Sequence, residues 1–325
     1  MQSQPNRKSR TSFTRLKVEF NTMSAYLFAH FTEEKGDREY VWFAVSRDGL
    51  NWKDLGSDEP ILVSKVGTKG VRDPFIVYDE KLKKYFIIAT DLLTTSGNWY
   101  NFSHKGSRSL VVWESEDLIN WSEERLCEVG IEKAGCVWAP EAIFCKEKDA
   151  WFVFFASCVR EKGELHHKQR IYGTFTKDFK DFTPPFKFID AKTDVIDTNI
   201  VWDNGYYYRF SKDETNKKIT IEKSETLVDG NWKTIYSEVF ANFFGLEGPE
   251  TYYLDDMQKW CLIADQYHTH KGYTPFVCDD LSTGNFVQLN EDQFNMGKRK
   301  KRHGGVIKIT EEQYEKLVEH FGIDE

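Results

Sequence analysis

Three segments of the chain carry a carboxylate at the start of an apolar, strand-like run. They are RDPFIV (72–77), IDTNIVW (196–202) and EGPETYY (247–253), and their acids are Asp73, Asp197 and Glu247. Acid–base cleavage of a glycosidic bond needs two carboxyl groups across the bond, one protonated and one ionised. A third acid can raise the pKa of the proton donor through its negative charge. Asp-Pro and Glu-Gly-Pro also occur in ordinary turns, but three acids at corresponding positions favour a catalytic role.

These segments belong to a repeated unit, because similar runs open five units along the chain. Two further openers are WAPEAIF (138–144) and RHGGVIKI (302–309). Each unit closes with a polar turn and an aromatic residue; these aromatic residues are Trp52, Trp121, Phe182, Trp232 and Phe286. Their spacings of 69, 61, 50 and 54 residues are typical of propeller blades with loop insertions. Three strands before the turn and one after it predict a four-stranded blade.

The two ends of the chain complete each other. The first unit starts at AYLFAHF without an opener, and the last opener has no strands after it. Pairing them predicts an all-β, five-bladed β-propeller over residues 23–310, closed by the C-terminal strand joining the N-terminal blade, with no exposed edge there. Residues 1–22 are expected to be a disordered or non-native extension. Residues 311–325 are expected to form the only clear helix, packed on the propeller, with Thr310 as N-cap and Gln313 in a capping box.

The first residues of the openers should meet at one mouth of the central channel, because the openers are the innermost strands. Alignment places Asp73, Ala139, Asp197, Gly248 and His303 in register, preceded by Arg72, Trp138, Ile196, Glu247 and Arg302. Asp73 and Glu247 come from units that are not adjacent in the ring. A separation of roughly 6.5–9.5 Å, which leaves room for a water and inverts the sugar, is therefore predicted.

Composition narrows the functional classes. The net charge of −8 argues against nucleic-acid binding, and the basic run KRKKR (298–302) is interpreted as a solvated loop rather than a nuclear address. Aromatic residues make up 15% of the chain, which suits both strands and sugar stacking. No stretch is long enough to span a membrane. The six cysteines show no paired spacing and no signal peptide is visible, so free thiols and a cytoplasmic location are expected.

With these motifs in order, the sequence resembles glycoside hydrolase family 43 from about residue 24 to 310. The resemblance rests on RDP, WAP, an Asp opening the next blade, EGP and a late His-Gly. It implies an inverting enzyme that releases arabinofuranose- or xylose-type sugars from plant polysaccharides or their oligosaccharides. It also implies that Asp73 is the general base, Glu247 the general acid and Asp197 the modulator of the acid's pKa.

The resemblance also implies substrate-binding positions around the acids. Trp138 would wall the pocket, and Arg72 and His303 would lie near it. Glu141, which follows WAP, either contacts sugar hydroxyls or points away. No cofactor is expected to be required. Some members hold calcium or another ion near a channel histidine, so His303 is a candidate ligand, although calcium prefers oxygen.

Several alternatives stay open. The same fold could support a galactan-active glycosidase, a sugar phosphorylase or a retaining furanosidase, and a phosphorylase would need basic residues such as Arg72 and Arg302 around phosphate. A non-catalytic glycan-binding propeller would be expected to have lost its central acids, which this chain retains. The sequence leaves the sugar, the choice between exo and endo action, and the oligomeric state open.

Overall fold

The computed structural model describes residues 23–32, 39–56 and 59–324. Five four-stranded antiparallel sheets form the blades of a propeller in this part of the chain. The predicted extension at residues 1–22 lies outside the described residues.

The strands follow the chain from blade to blade. Blade 1 contains β1 (Met23–His30), β2 (Trp42–Ser46) and β3 (Lys53–Asp54). Blade 2 contains β4 (Val71–Asp79), β5 (Lys84–Asp91), β6 (Ser109–Ser115) and β7 (Arg125–Glu128). Blade 3 contains β8 (Trp138–Cys145), β9 (Ala150–Val159), β10 (Lys168–Thr176) and β11 (Phe186–Ile189). Blade 4 contains β12 (Val195–Asp203), β13 (Tyr206–Asp213), β14 (Lys218–Ser224) and β15 (Lys233–Ile235). Blade 5 contains β16 (Glu247–Leu254), β17 (Lys259–Gln266), β18 (Gly272–Cys278) and β19 (Val287–Gln288).

The last strand, β20 (Gly304–Thr310), returns to blade 1 and pairs antiparallel with β1, so that Leu27 lies opposite Ile307. The five openers β4, β8, β12, β16 and β20 contact one another in sequence around the centre. The predicted five-bladed ring and its closure by the C-terminal strand are therefore confirmed.

The core consists of five apolar clusters, one between each pair of neighbouring blades. Strand β9 shows why its sequence is almost continuously apolar. Phe152 and Phe154 pack toward blade 4, whereas Val153 and Phe155 pack toward blade 2. Both faces of the strand are buried, so both alternating sets of side chains must be apolar.

The C-terminal helix α3 (Glu311–Phe321) begins as predicted: Thr310 and Gln313 form a capping box. Its buried residues Tyr314 and Leu317 join the cluster between blades 1 and 2. Two shorter helices, α1 (Trp99–Lys105) and α2 (Glu238–Asn242), were not expected from the sequence. Helix α1 lies in the long connection between β5 and β6 and lacks an extended apolar repeat, so its pattern does not identify it.

The basic run KRKKR is not the solvated loop that composition suggested. The ammonium group of Lys301 lies 2.6 Å from the carboxylate of Asp54, and both side chains are fully buried. The guanidinium of Arg299 lies 3.8 Å from the centre of the Trp42 ring. These contacts fasten the segment before β20 to blade 1, so two of its cations serve the fold rather than a partner.

The six cysteines all lie in the described residues and form no disulfide, as expected. Among the described helices, none has the length and apolar character to cross a lipid bilayer.

Candidate active site

One pocket of about 440 Å³ at the mouth of the channel brings together six of the seven predicted site residues. We call it the mouth pocket. It is lined by the acids Asp73, Asp197 and Glu247 and by Arg72, Trp138 and His303. Four inner strands and the residue just before β20 therefore deliver side chains to one place, as the alignment of the openers predicted.

A repeated backbone feature sets the direction of these side chains. Asp73, Ala139, Asp197 and Gly248 all have positive φ, between 45° and 53°. The pairing register with the second strand shifts at each of these places, which marks a β-bulge. Positive φ is costly for residues other than glycine, and strain of this kind is typical of functional sites.

In blade 5 the bulge requires a glycine. A Cβ atom at position 248 would lie 2.8 Å from Cγ of His303 and 2.8 Å from the hydroxyl of Tyr273. The same hydroxyl donates a hydrogen bond to the carbonyl of Gly248 at 2.8 Å. Because close packing leaves no room for a side chain at position 248, the candidate catalytic side chain of this blade is that of the preceding residue, Glu247.

Asp73 is held as a carboxylate. Its Oδ2 accepts a hydrogen bond from Thr90 Oγ1 at 2.8 Å, and its Oδ1 lies 3.6 Å from Nδ1 of His303. Burial would raise the pKa of Asp73, but the interactions with His303 and the charge of Arg72 outweigh it, so this pKa lies below its ordinary value. An ionised acid in this position can accept a proton from water.

Glu247 is paired with two cations that the sequence alone did not connect to it. Lys212 Nζ donates to Oε2 at 2.8 Å, and Arg302 Nη2 donates to Oε1 at 2.6 Å. Burial opposes ionisation, but the charges of Lys212 and Arg302 lower the pKa of Glu247 below its ordinary value. These cations therefore oppose the rise in the pKa of Glu247 that a neighbouring acid was expected to produce, and the role of Glu247 as general acid stays a prediction.

Asp197 is the acid of the mouth pocket whose proton affinity is raised. Burial, reinforced by the charges of Glu247 and Asp73, raises the pKa of Asp197 to about 6, against the opposing effect of His303. Its Oδ2 accepts a hydrogen bond from the backbone amide of Gly248 at 3.1 Å. Asp197 therefore binds a proton more readily than Glu247 in the free protein, and its role as modulator of the acid stays a prediction.

His303 links the mouth pocket to a second group of polar residues below it. Its Nδ1 lies 3.6 Å from Asp73, and its Nε2 lies 3.6 Å from Oε1 of Glu141. Burial alone would lower the pKa of His303, but Asp73 and Glu141 raise it well above its ordinary value. The carboxyl groups on either side of the ring therefore favour its protonated form.

Glu141 does not line the mouth pocket, which corrects its assignment as a substrate-binding residue. It is 1% exposed and belongs to a buried group that we call the channel cluster, formed by Glu141, Asn199 and Glu250. Asn199 Nδ2 donates to Glu141 at 2.9 Å and to Glu250 at 2.8 Å. These residues lie two positions after the bulge on β8, β12 and β16, and so deeper in the channel.

The donor set does not fit a metal cage built from protein ligands. In the described part of the chain, no three His, Cys, Asp or Glu side chains converge to hold an ion. Both ring nitrogens of His303 face carboxylates, and the Glu250 oxygens accept from Val306 and Asn199. We therefore derive no step through an ion, and the ion at His303 stays a prediction.

Sequence reasoning missed Lys212, although a signal for it exists. Asn204 and Gly205 both have positive φ, as a two-residue hairpin turn between β12 and β13 requires. Counting outward from this turn places Lys212 opposite Asp197, and the bulge at Asp197 shifts the pairing by one residue, so that Lys212 pairs with Ile196 beside it. The lysine could therefore have been placed at the mouth from the sequence.

The other residues of the pocket wall lie mostly in connections between strands, and no sequence pattern placed them at the mouth. The pocket wall also contains Phe31, Leu92, Trp99, Glu214, Lys217, Tyr267 and His270. Trp99 belongs to the helix α1 that was not expected, and Tyr267 and His270 follow β17.

Comparison with known proteins shows the family of the chain. A family model described as "Probable glycosyl hydrolase domain", related to glycosyl hydrolase family 43, matches residues 21–315. An α-L-arabinofuranosidase of Bifidobacterium longum subsp. longum is 29% identical over 293 residues, which cover 75% of this chain and 27% of that protein. The chain thus spans about a quarter of the length of this relative.

Solved structures share the fold at low identity. An endo-1,4-β-xylanase from Bacteroides thetaiotaomicron has a TM-score of 0.56 at 14% identity. The aligned region covers 86% of this chain and 93% of the xylanase chain. A family 43 β-1,3-galactosidase has a TM-score of 0.57 at 12% identity. The aligned region covers 86% of this chain and 92% of the galactosidase chain. At these identities the likeness shows the five-bladed fold alone.

Proposed function

The chain belongs to the glycosyl hydrolase family 43-related group and is a glycoside hydrolase, and from this premise we propose that it is an inverting α-L-arabinofuranosidase. The observation that carries the proposal is the convergence of Asp73, Asp197 and Glu247 on one pocket. The similarity to the Bifidobacterium arabinofuranosidase supports the choice of sugar.

In the proposed reaction Asp73 removes a proton from water while the water attacks the anomeric carbon. Its lowered pKa supports this role, because a base must be ionised before it can act. Glu247 gives a proton to the departing oxygen, and Asp197 supplies the adjacent carboxyl group with which Glu247 exchanges that proton.

One hydrogen bond to Glu247 in the free pocket must change before this residue can act as an acid. Both oxygens of Glu247 accept from cations, so one of these bonds must loosen for the acid to hold a proton. Lys212 has an alternative acceptor, since its Nζ also lies 2.7 Å from Oε2 of Glu214. We propose that Lys212 shifts toward Glu214 when substrate enters.

A panel of nitrophenyl glycosides tests the choice of sugar. We expect release from the α-L-arabinofuranoside to exceed release from the β-D-xyloside and the β-D-galactoside. A preference for either of the last two would replace the arabinofuranosidase assignment. Turnover that requires phosphate would indicate a phosphorylase, and sugar binding without any release would indicate a non-catalytic propeller.

Proton NMR of the first-formed sugar tests the mechanism. Inversion is the expected result if a water lies between Asp73 and the anomeric carbon. Retention would overturn the roles proposed for Asp73 and Glu247.

A cytoplasmic setting, in which the substrate is an imported oligosaccharide, remains part of this proposal. Cell fractionation checks the location of the protein.

A further inference from the structure

Trp99 lies in the wall of the mouth pocket but differs from the residues at its floor. Its side chain is 57% exposed, whereas the side chains of Asp73 and Glu247 are 16% and 20% exposed. The acids therefore lie at the closed end of the pocket and the indole at its rim. A large apolar ring at the rim of a polar pocket offers a surface for a ligand that reaches out of the pocket.

The segment that carries Trp99 is fastened at both ends. Before α1, the backbone amide of Thr94 donates to the carboxylate of Glu39 at 3.0 Å, and Glu39 is also 3.4 Å from Arg72. After α1, the amide of Gly106 donates to the carbonyl of Gly135 at 2.7 Å. The helix is thus tied to the β1–β2 connection of blade 1 and to the entrance of blade 3, rather than standing free.

The helix itself is also well defined. The side chain of Asn98 caps its first turn by accepting from the amide of Asn101 at 3.0 Å. Phe102 is the buried residue of α1, and its ring meets the indole of Trp99 edge to face at 5.8 Å. An aromatic residue on a capped and anchored helix can bind a ligand with little loss of conformational freedom.

Two pocket residues hold the indole on its inner side. The guanidinium of Arg72 lies 5.6 Å from the ring centre, and Trp138 meets the ring edge to face at 6.1 Å. Trp99 and Trp138 thus form an apolar surface that runs from the pocket wall to the rim. The C–H faces of sugar rings pack on such aromatic surfaces, while their hydroxyl groups stay hydrated.

We propose that Trp99 forms a second sugar subsite, which binds the sugar to which the cleaved arabinofuranose is attached. This inference rests on the proposed function, because it places the cleaved sugar on the acids at the floor. The remainder of the substrate must then leave through the rim, where Trp99 is exposed. Trp99 therefore distinguishes oligosaccharides from a single sugar.

Kinetics of Trp99→Ala test this subsite with two oligosaccharides, α-1,5-linked arabinotriose and arabinofuranosyl-substituted xylotriose. We expect kcat/KM on the oligosaccharide that is cleaved to fall by about tenfold, the size of a lost aromatic contact. The inhibition constant of free L-arabinose should stay unchanged, because this sugar occupies the floor alone. Trp99→Phe should recover part of the loss.

Tyr100→Ala is the matched control, since Tyr100 is the next residue of α1, is 62% exposed and does not line the pocket. A loss in Tyr100→Ala equal to that in Trp99→Ala would overturn the subsite, as would an equal rise in the inhibition constant of L-arabinose. If the unmodified protein cleaves neither oligosaccharide, the proposed function is itself overturned and the subsite with it.

Discussion

Glu247 and Glu250 lie three residues apart on β16, one in the mouth pocket and one in the channel cluster below it. Glu247 accepts hydrogen bonds from Lys212 and Arg302, and its pKa is lowered. Glu250 accepts from two neutral donors, the amide of Val306 at 2.8 Å and the side chain of Asn199 at 2.8 Å. Burial and the charge of Glu141 raise the pKa of Glu250 well above its ordinary value.

Among the other acids the division holds for Asp73 and Glu141 but not for Asp197 of the mouth pocket, whose pKa burial raises to about 6. Asp73 in the mouth pocket has a lowered pKa, whereas burial raises the pKa of Glu141 in the channel cluster to about 7. All of these side chains come from the inner strands. The partners that other blades supply, and not the residue type, decide which acid is charged.

Replacing an acid of the mouth pocket should lower the catalytic activity far more than replacing an acid of the channel cluster. Asp73→Asn removes the proposed base and should lower kcat by about a hundred- to ten-thousandfold, on both aryl and natural arabinofuranosides. Glu250→Gln is the matched control, because glutamine has the shape of a neutral glutamic acid and keeps an oxygen for the Val306 amide. Steady-state rates at neutral pH check both variants. Equal losses would show that the channel cluster takes part in the chemistry.

Glu247→Gln should separate substrates by their leaving groups. Natural oligosaccharides need protonation of the departing oxygen, so their turnover should fall by about a hundred- to ten-thousandfold. A nitrophenolate departs without much protonation, so nitrophenyl substrates should lose far less. Comparing kcat/KM for the two classes gives the result directly. Equal losses would remove Glu247 from the role of general acid.

Lys212→Met should change the pH profile of the mouth pocket. Removing the ammonium group raises the pKa of Glu247, and a general acid with a higher pKa stays protonated to higher pH. The alkaline limb of kcat/KM should therefore move upward by about one pH unit. Lys223→Met is the control, since Lys223 is on the same blade but lies over the Tyr206 ring and does not line the mouth pocket. A limb that does not move, or moves in both variants, would contradict the pairing.

The smallest expected effect concerns stability. The carboxyl groups of the channel cluster have higher pKa values in the folded than in the unfolded protein. Their stabilising contribution is therefore complete below the unfolded pKa of Glu, near 4.3, and is lost as pH rises toward the folded values. Glu250→Gln should flatten this dependence.

Thermal unfolding of the native protein and of Glu250→Gln, measured between about pH 5 and 7, checks this expectation. The native protein should lose about 2–4 °C more in Tm over this range than the variant. A parallel pair of curves for the native protein and Glu250→Gln would show that Glu250 is ionised when folded.

The sequence by itself determined the repeat, the number of blades and the closure of the ring. These follow from local pattern, because each blade must bury both faces and the unpaired ends at AYLFAHF and RHGGVIKI can satisfy only each other. The position of Asp73, Asp197 and Glu247 at one mouth follows as well, since Asp73 and Asp197 occupy corresponding places around the ring and Glu247 stands one residue before the third such place.

The tertiary structure alone decided how these acids are charged. The partners of Glu247 come from Lys212 on blade 4 and from Arg302 before β20, and whether they reach it depends on bulges and on packing between blades. The burial of Lys301 and the depth of Glu141 depend on packing in the same way. Trp99 reaches the rim through a loop whose course has no periodic pattern. Such contacts act over a few ångströms, and a sequence pattern does not specify distances on that scale.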